Sequence, residues 1–259
     1  MRSTIWVLVV VYSMLSCKKE VTGEKVKPLL YIPPTSIGSP PDSLKLSSVY
    51  RKYIDANGIP ILSSLLAEDD ALYRARETVL LLLQNLDTAM YNRMLRKKTR
   101  VVIVSYQEDL SVIPEFSSSV ISDFVANRRG LFLNSVTSVF EENILCERKL
   151  RADNNKNRDM VTHEFAHAIH LDGGDRTLDS TIRSLYFNAM RNKQWQGFYA
   201  STNYKEYWAE GVSFWFNCIP DRILAFGNTQ RERLKNYDPD LYSLIRRYFS
   251  DEIARTGCY

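Results

Sequence analysis

The stretch HEFAHAIH, His163 to His170, contains all three histidines of this chain. His163, Glu164 and His167 form the pattern H-E-x-x-H, in which the two histidines bind a zinc ion and the glutamate acts as general base. An α-helix turns once in 3.6 residues, so both imidazoles project from one face, one turn apart, and reach the same ion. The stretch therefore predicts a helix with two ligands of a zinc site.

The residues around this pattern predict that the helix is largely buried. Asp159 is a suitable N-cap before it, and the Gly173-Gly174 pair is a suitable end. Buried histidines need partners, and two of them on one buried face favour a metal ion. The apolar flanking residues are Met160, Val161, Phe165, Ala166, Ala168 and Ile169.

A catalytic zinc ion normally takes three protein ligands, so one more is required. His170 is seven residues after His163, which places it about 10 Å along the helix axis from the first ligand. We therefore expect His170 to support the site from behind or to lie in the core rather than to bind the ion. Asp172, Asp175 and Asp179, in or after the Gly-Gly turn, remain candidates.

A second candidate region is YASTNYKEYWAEG, residues 199 to 211. Glu206 and Glu210 lie one turn apart on a predicted aromatic helix, and partly buried carboxylates need a cation or hydrogen-bond donors. Glu206 on the metal, with Glu210 holding a ligand histidine from behind, satisfies both needs. The alternatives are a capping box between Asn203 and Glu206, and a surface position for Glu210.

Together, HEFAHAIH and TNYKEYWAEG, with the order HExxH then Y-x6-E-x3-E, resemble the catalytic domain of anthrax lethal factor and the Pro-Pro endopeptidases. These are gluzincin-type zinc peptidases, and the resemblance covers roughly residues 99 to 250. It implies that Glu206 is the third zinc ligand and that Glu210 supports a ligand histidine. It also implies that Tyr199 lies near the zinc and steadies the tetrahedral intermediate or the leaving group.

This resemblance implies a zinc metallopeptidase that hydrolyses peptide bonds through an activated water, with Glu164 as general base. The expected substrate is a peptide or protein, and an edge strand within GLFLNSV could align it by strand addition. Two other classes remain open from the sequence. One is a zinc hydrolase that acts on a non-peptide amide or a glycan-linked substrate, and the other is a catalytically silent metal-binding protein.

Outward from the motif, the sequence predicts an α+β fold. Strands are expected at 99–106 and, with a bend at Asn134, at 130–140, whereas the C-terminal part reads as helices. Apolar spacing predicts one helix over 68–98, another near 178–193 and a last one over 238–255. We expect a zincin-like domain over 47–259, in which a small twisted sheet packs on the HExxH helix.

The chain of 259 residues carries a net charge of only +4 and no dense basic run interleaved with aromatic residues, which argues against nucleic acid as a partner. We expect a monomer.

The first 17 residues predict export. Arg2 precedes an apolar run of signal-peptide length, and MLSC resembles a lipobox with Cys17 as the lipidated residue. We therefore expect a secreted extracytoplasmic protein or, alternatively, a lipoprotein anchored through Cys17. Residues 18–46 hold five of the nine prolines and predict an extended linker. An exported chain tends to pair its cysteines, but the pairing among Cys146, Cys218 and Cys258 stays open.

Overall fold

The computed structural model describes residues 36–116, 128–146, 159–219 and 227–251. Over these ranges the chain combines five strands with eight α-helices, which confirms the predicted α+β class. The predicted signal segment, Cys17, Cys258 and the first part of the proline-rich segment lie outside the described residues. Among the helices that are described, none has the length and apolar character required to cross a membrane.

The five strands form one mixed sheet in the order β1-β2-β3-β5-β4. The three central strands β2, β3 and β5 are parallel, whereas β1 and β4 are antiparallel strands at the two edges. The strands are β1 (Lys52–Ala56), β2 (Ile59–Ser63), β3 (Arg100–Val104), β4 (Gly130–Leu133) and β5 (Val136–Phe140).

Two tight hairpins build the edges of this sheet. Asn57 and Gly58 join β1 to β2, and Asn134 and Ser135 join β4 to β5; all four have positive φ. Two-residue loops with positive φ at both positions match the twist of paired strands. The predicted bend at Asn134 is therefore confirmed as a hairpin turn.

The helices are α1 (Asp69–Leu83), α2 (Thr88–Arg96), α3 (Glu141–Leu145), α4 (Met160–Ala168), α5 (Arg176–Arg191), α6 (Tyr204–Trp215), α7 (Gln230–Tyr237) and α8 (Pro239–Ile245). The single helix predicted over 68–98 is wrong, because the Asp87 side chain accepts a hydrogen bond from the Met90 amide and starts a second helix. The last helix is shorter than predicted and ends at Ile245. The sequence reading did not identify α7.

Two hydrophobic clusters cover the two faces of the sheet. The larger cluster joins inward-facing strand residues such as Val101 and Val139 to α1, α4 and the C-terminal helices. The smaller one joins Val102 and Phe140 to Phe116, which belongs to a short 3-10 segment on the opposite face. Because α4 packs on β5 and β4, the HExxH helix lies beside the β4 edge of the described sheet.

The described part of the proline-rich segment contacts the domain, since Gly38 and Tyr53 exchange two backbone hydrogen bonds. Cys146 is disulfide-bonded, and the other half of that bond lies outside the described residues. Cys218 keeps its thiol, which is buried 3.7 Å from the Thr162 hydroxyl.

Candidate metal centre

Helix α4 begins as the sequence predicts. The Asp159 side chain accepts hydrogen bonds from the amides of Val161 and Thr162, and all nine residues of the helix are buried. A π-helical turn, Ile169–Gly173, continues it. A Cβ at Gly174 would lie 2.2 Å from the His170 carbonyl oxygen, so only glycine fits where the helix ends.

Three side chains predicted as ligands come together in the structure. Glu206 Oε2 lies 3.1 Å from His163 Nε2 and 3.3 Å from His167 Nε2. These three ligand atoms all lie within 4.8 Å of one another. Ligands at about 2.0–2.2 Å from a tetrahedral zinc ion are themselves roughly 3.3–3.5 Å apart. The distances from Glu206 to both histidines, and the two-nitrogen, one-oxygen donor set, therefore fit a zinc ion.

Helix α6 places Glu206 opposite the two histidines. The Asn203 side chain accepts hydrogen bonds from the amides of Lys205 and Glu206, which fixes the first turn of α6. One turn further, the Trp208 indole donates to the Ala166 carbonyl oxygen at 2.9 Å and ties α6 to α4. Asn203 is thus the N-cap, but the Glu206 carboxylate faces the imidazoles rather than closing a capping box with Asn203.

Electrostatics at His163 reflect two carboxylates on opposite sides of the ring. Glu210 Oε1 lies 3.3 Å from Nδ1, the nitrogen that does not face Glu206. Burial lowers the pKa of His163, but the carboxylates of Glu206 and Glu210 outweigh it and raise the pKa to about 9. Burial likewise raises the pKa of Glu206, but the two histidines hold it well below its ordinary value. In the metal-free protein, His163 is thus protonated at neutral pH, and its positive charge faces the two carboxylates.

Glu164 lies between α4 and the edge strand β4. A Cβ at Gly130 would lie 3.1 Å from Glu164 Oε1 and 2.7 Å from Met160 Cε. Glycine at 130 therefore allows the strand to approach the glutamate. Glu164 is buried, and its charge raises the pKa of His163, so the carboxylate belongs to the same electrostatic centre. The structure thus places the predicted general base beside both the metal-binding group and the edge strand.

Tyr199 stands at the open side of this centre, in a 3-10 turn, Tyr199–Ser201, before α6. Its ring centroid is 6.1 Å from that of His163, and the residue is 42% exposed. Burial of its hydroxyl, and then the charge of Glu206, raise the pKa of Tyr199, whereas a hydrogen bond from the Arg128 side chain opposes the rise. The phenol is therefore close enough to the histidines to meet a group bound there.

His170 belongs to a different environment. Its side chain is fully buried, and Nε2 lies 3.0 Å from Asp179 Oδ1. Its ring packs against Tyr204 and Trp208 at centroid distances of 5.9 and 6.3 Å. Burial lowers the pKa of His170 to about 4, partly offset by Asp179. The structure thus keeps His170 out of the three-residue group, as the helix geometry predicted.

The acidic residues after α4 have other partners. Asp172 accepts hydrogen bonds from the hydroxyls of Thr99 and Ser135, Asp175 caps α5, and Asp179 binds His170. Within the described ranges, the group that can hold a metal ion consists of His163, His167 and Glu206.

The sequence reading missed Gly130 and Arg128. Arg128 is exposed and precedes β4, and its side chain acts to lower the pKa of the Tyr199 hydroxyl. Local sequence gave no signal for either residue, because both act through contacts between elements far apart in the chain.

Comparisons of this chain with protein-family models, with curated proteins and with solved structures gave no match.

Proposed function

We propose that this protein is a zinc-dependent metallopeptidase that hydrolyses peptide bonds, with His163, His167 and Glu206 as the zinc ligands. The observation that carries the proposal is the convergence of these three side chains with Glu164 at 6% exposure beside them. A buried carboxylate next to a cation site is the arrangement that general-base catalysis on a water molecule requires. A zincin-like arrangement, with the sheet packed on α4 and its free edge beside the site, is part of the proposal.

Each residue has a role in this reaction. When bound, zinc supplies Lewis acidity that makes a water molecule nucleophilic at neutral pH and polarises the substrate carbonyl. Glu164 accepts the proton of the attacking water and passes it to the leaving amine. The Tyr199 hydroxyl donates a hydrogen bond to the oxyanion that develops on the carbonyl. Glu210 holds His163 from its other nitrogen.

The edge strand offers a way to align the substrate. Among the described strands, β4 pairs only with β5, so its other side can present backbone groups to an extended peptide. Gly130 brings this strand against Glu164, which would bring the scissile bond of such a peptide to the base. With the predicted export segment, these features favour an extracytoplasmic protein that acts on peptides or proteins, either secreted or lipid-anchored through Cys17.

The test replaces the general base without disturbing the ligands. In Glu164→Gln we expect bound zinc to remain at about one per chain, while peptide turnover falls by about 10²–10⁴-fold, because the amide cannot accept the proton. Zinc content is measured by atomic absorption and turnover with a library of quenched peptides.

Glu77→Gln, an exposed position on α1, is the matched control and should leave both values unchanged. Full turnover in Glu164→Gln contradicts the assignment of the base. A wild-type protein that binds zinc but cleaves only amide or glycan-linked substrates supports the other zinc hydrolase. Zinc binding with no hydrolysis supports a silent metal-binding protein.

A further inference from the structure

Arg129, the residue that precedes the edge strand β4, is held by residues at the end of β5 and the start of α3. Its guanidinium lies over the Phe140 ring, with Cζ 3.4 Å from the ring centroid. Arg129 Nε donates to Glu142 Oε1 at 2.8 Å, and Nη2 donates to the same oxygen. The Asn143 side-chain amide donates to the Arg129 carbonyl oxygen at 3.4 Å. Both the side chain and the backbone of Arg129 are therefore tied to the segment that leaves β5.

The environment makes this ion pair stronger than an ordinary surface pair. The Glu142 side chain is buried, and that of Arg129 is only 25% exposed. Hydrogen bonds between charged groups, together with a planar guanidinium stacked on an aromatic face, restrict the arginine to one orientation. A buried carboxylate that loses its cation is strongly destabilised, so Glu142 holds Arg129 in place.

This restraint acts on the strand at its most weakly fixed residue. β4 has four residues, and the first of them, Gly130, pairs with Val139 of β5. The space around Gly130 is closed to a side chain by Met160 and Glu164. Glycine has more backbone freedom than any other residue and brings no side chain that could hold the strand. Besides the pairing with β5, the start of β4 is therefore fixed through Arg129.

We infer that Arg129 is a positioning residue: held by Phe140 and Glu142, it keeps the start of β4 in the place beside Glu164 that hydrolysis requires. This inference rests on the proposed peptidase function, in which a peptide adds to β4 and Glu164 is the base. A misplacement of about 1 Å at the reacting groups can cost about 100-fold in rate. Loss of the restraint should therefore lower kcat, while the zinc ligands on α4 and α6 stay in place.

A second arginine–glutamate pair has the same hydrogen-bond pattern but lies away from the metal-binding group. Arg100, the first residue of β3, donates through Nε and Nη2 to Glu115 Oε1. The two side chains are 15% and 19% exposed, so this pair is also largely buried. Glu115 belongs to the 3-10 segment on the face of the sheet opposite α4. Removal of Arg100 therefore shows what the loss of such a pair does through stability alone.

Turnover of the zinc-loaded protein tests the inference. In Arg129→Gln we expect kcat to fall by about 10- to 100-fold at unchanged zinc content. KM should stay within about threefold, because the rest of β4 still pairs with β5. Arg129→Lys should lose less, because lysine keeps the charge but not the planar fork. Arg100→Gln should leave kcat and KM unchanged.

Two further variants separate positioning from a merely structural role. Arg129→Gln/Glu142→Gln removes both charges, leaves no buried carboxylate without its cation, and should lose as much kcat as Arg129→Gln. In the Glu164→Gln background, Arg129→Gln should have no further effect, because there is no base left to position. Three results overturn the inference: full kcat in both Arg129→Gln variants, an equal loss with and without Glu164, or a loss confined to KM. An equal loss of kcat in Arg100→Gln does so as well.

Hydrogen exchange tests the restraint without any turnover. We expect the amides of residues 130–133, followed by mass spectrometry, to exchange at least about tenfold faster in Arg129→Gln and in Arg129→Gln/Glu142→Gln, as loss of a hydrogen bond between charged groups allows. Arg100→Gln should change this exchange by less than about twofold. Unchanged exchange in both Arg129→Gln variants overturns the inference, whether or not the wild type hydrolyses peptides. If exchange rises as expected but the wild type shows no zinc-dependent hydrolysis, the proposed function fails. The catalytic role of Arg129 then fails with it, although the restraint on β4 stands.

Discussion

His163 and His170 lie in two successive parts of one helical segment, and both are buried, but in opposite electrostatic surroundings. His163, in α4, lies between two carboxylates, with Glu206 Oε2 at 3.1 Å from one ring nitrogen and Glu210 Oε1 at 3.3 Å from the other. His170, in the π turn, has the carboxylate of Asp179 at 3.0 Å and aromatic rings around it. The pKa of His163 is raised to about 9, whereas that of His170 is lowered to about 4.

The difference shows that burial alone does not decide what a histidine does. Desolvation is the largest influence on the pKa of both rings and acts in the same direction on each. What differs is the number of carboxylates: two face His163 and outweigh desolvation, while a single, partly exposed one faces His170 and does not. A site with surplus buried negative charge attracts a cation, and the two predicted metal-binding histidines lie in such a site.

The largest expected effect is on zinc affinity, when the carboxylate beside His163 is removed and compared with removal of the carboxylate beside His170. Glu206→Ala should weaken zinc binding by more than about 100-fold, beyond the 10- to 100-fold typical of a supporting group, because it removes a direct ligand. Asp179→Ala removes the carboxylate beside His170 and should change zinc affinity by less than about threefold, because that histidine is outside the ligand set. Zinc affinity is measured by competition with a chromogenic chelator. Normal zinc binding in Glu206→Ala, or a large loss in Asp179→Ala, would reverse the assignment of the two regions.

Much of this comparison was predictable from the sequence, because it depends on local patterns. The 3.6-residue period of a helix put His163 and His167 together and separated His170 from them, and the caps at Asp159 and Gly174 follow local rules. The spacing of Glu206 and Glu210 also follows one helical turn. These features are encoded within single elements, where spacing and geometry are directly related.

What the sequence did not predict depends on how separate elements meet. The partner of His170 is Asp179, a candidate ligand by sequence, and only the path of the chain through Gly174 into α5 brings the two together. Gly130 and Arg128 matter because β4 forms the sheet edge beside α4. Strand order of this kind arises from long-range pairing, which residue patterns within one strand do not determine.

A second prediction concerns the proton that competes with the metal. Because His163 in the metal-free protein keeps its proton up to about pH 9, zinc must displace it at neutral pH. We expect apparent zinc affinity to rise about tenfold per pH unit between about pH 7 and about pH 8.5, with about one proton released per ion. Isothermal titration in two buffers of different ionisation enthalpy measures this release.

Glu210→Gln sharpens that test. Loss of this carboxylate should weaken zinc binding by about 10- to 100-fold, because the ring nitrogen opposite the metal loses its acceptor. It should also make the pH dependence shallower, because the pKa of His163 falls when one of its two carboxylates is removed. A Glu210→Gln protein with unchanged affinity and unchanged proton release would show that Glu210 does not act on His163.

The last expected effect is on the stability of the metal-free protein, and the two histidines should act on opposite sides of neutrality. The folded-state pKa of His163 lies above the unfolded value of about 6.5, so its contribution is complete below about pH 6.5 and is lost as the pH rises through about 9. The pKa of His170 lies below that value, so its contribution is complete above about pH 6.5 and is lost as the pH falls through about 4. Each contribution should be on the order of 3 kcal/mol in the free energy of unfolding.

Urea unfolding in the presence of a chelator, at a series of pH values, separates the two contributions. It is measured for wild type, His163→Gln and His170→Gln. His163→Gln should abolish the loss of stability at alkaline pH and keep the loss at acid pH. His170→Gln should do the reverse, because the glutamine side chain does not titrate. Identical pH dependence in the two variants would mean that the carboxylates do not distinguish the rings. Saturating zinc should also remove the loss of stability of the wild-type protein at alkaline pH. A histidine that binds the metal no longer releases a proton from the folded chain in this pH range.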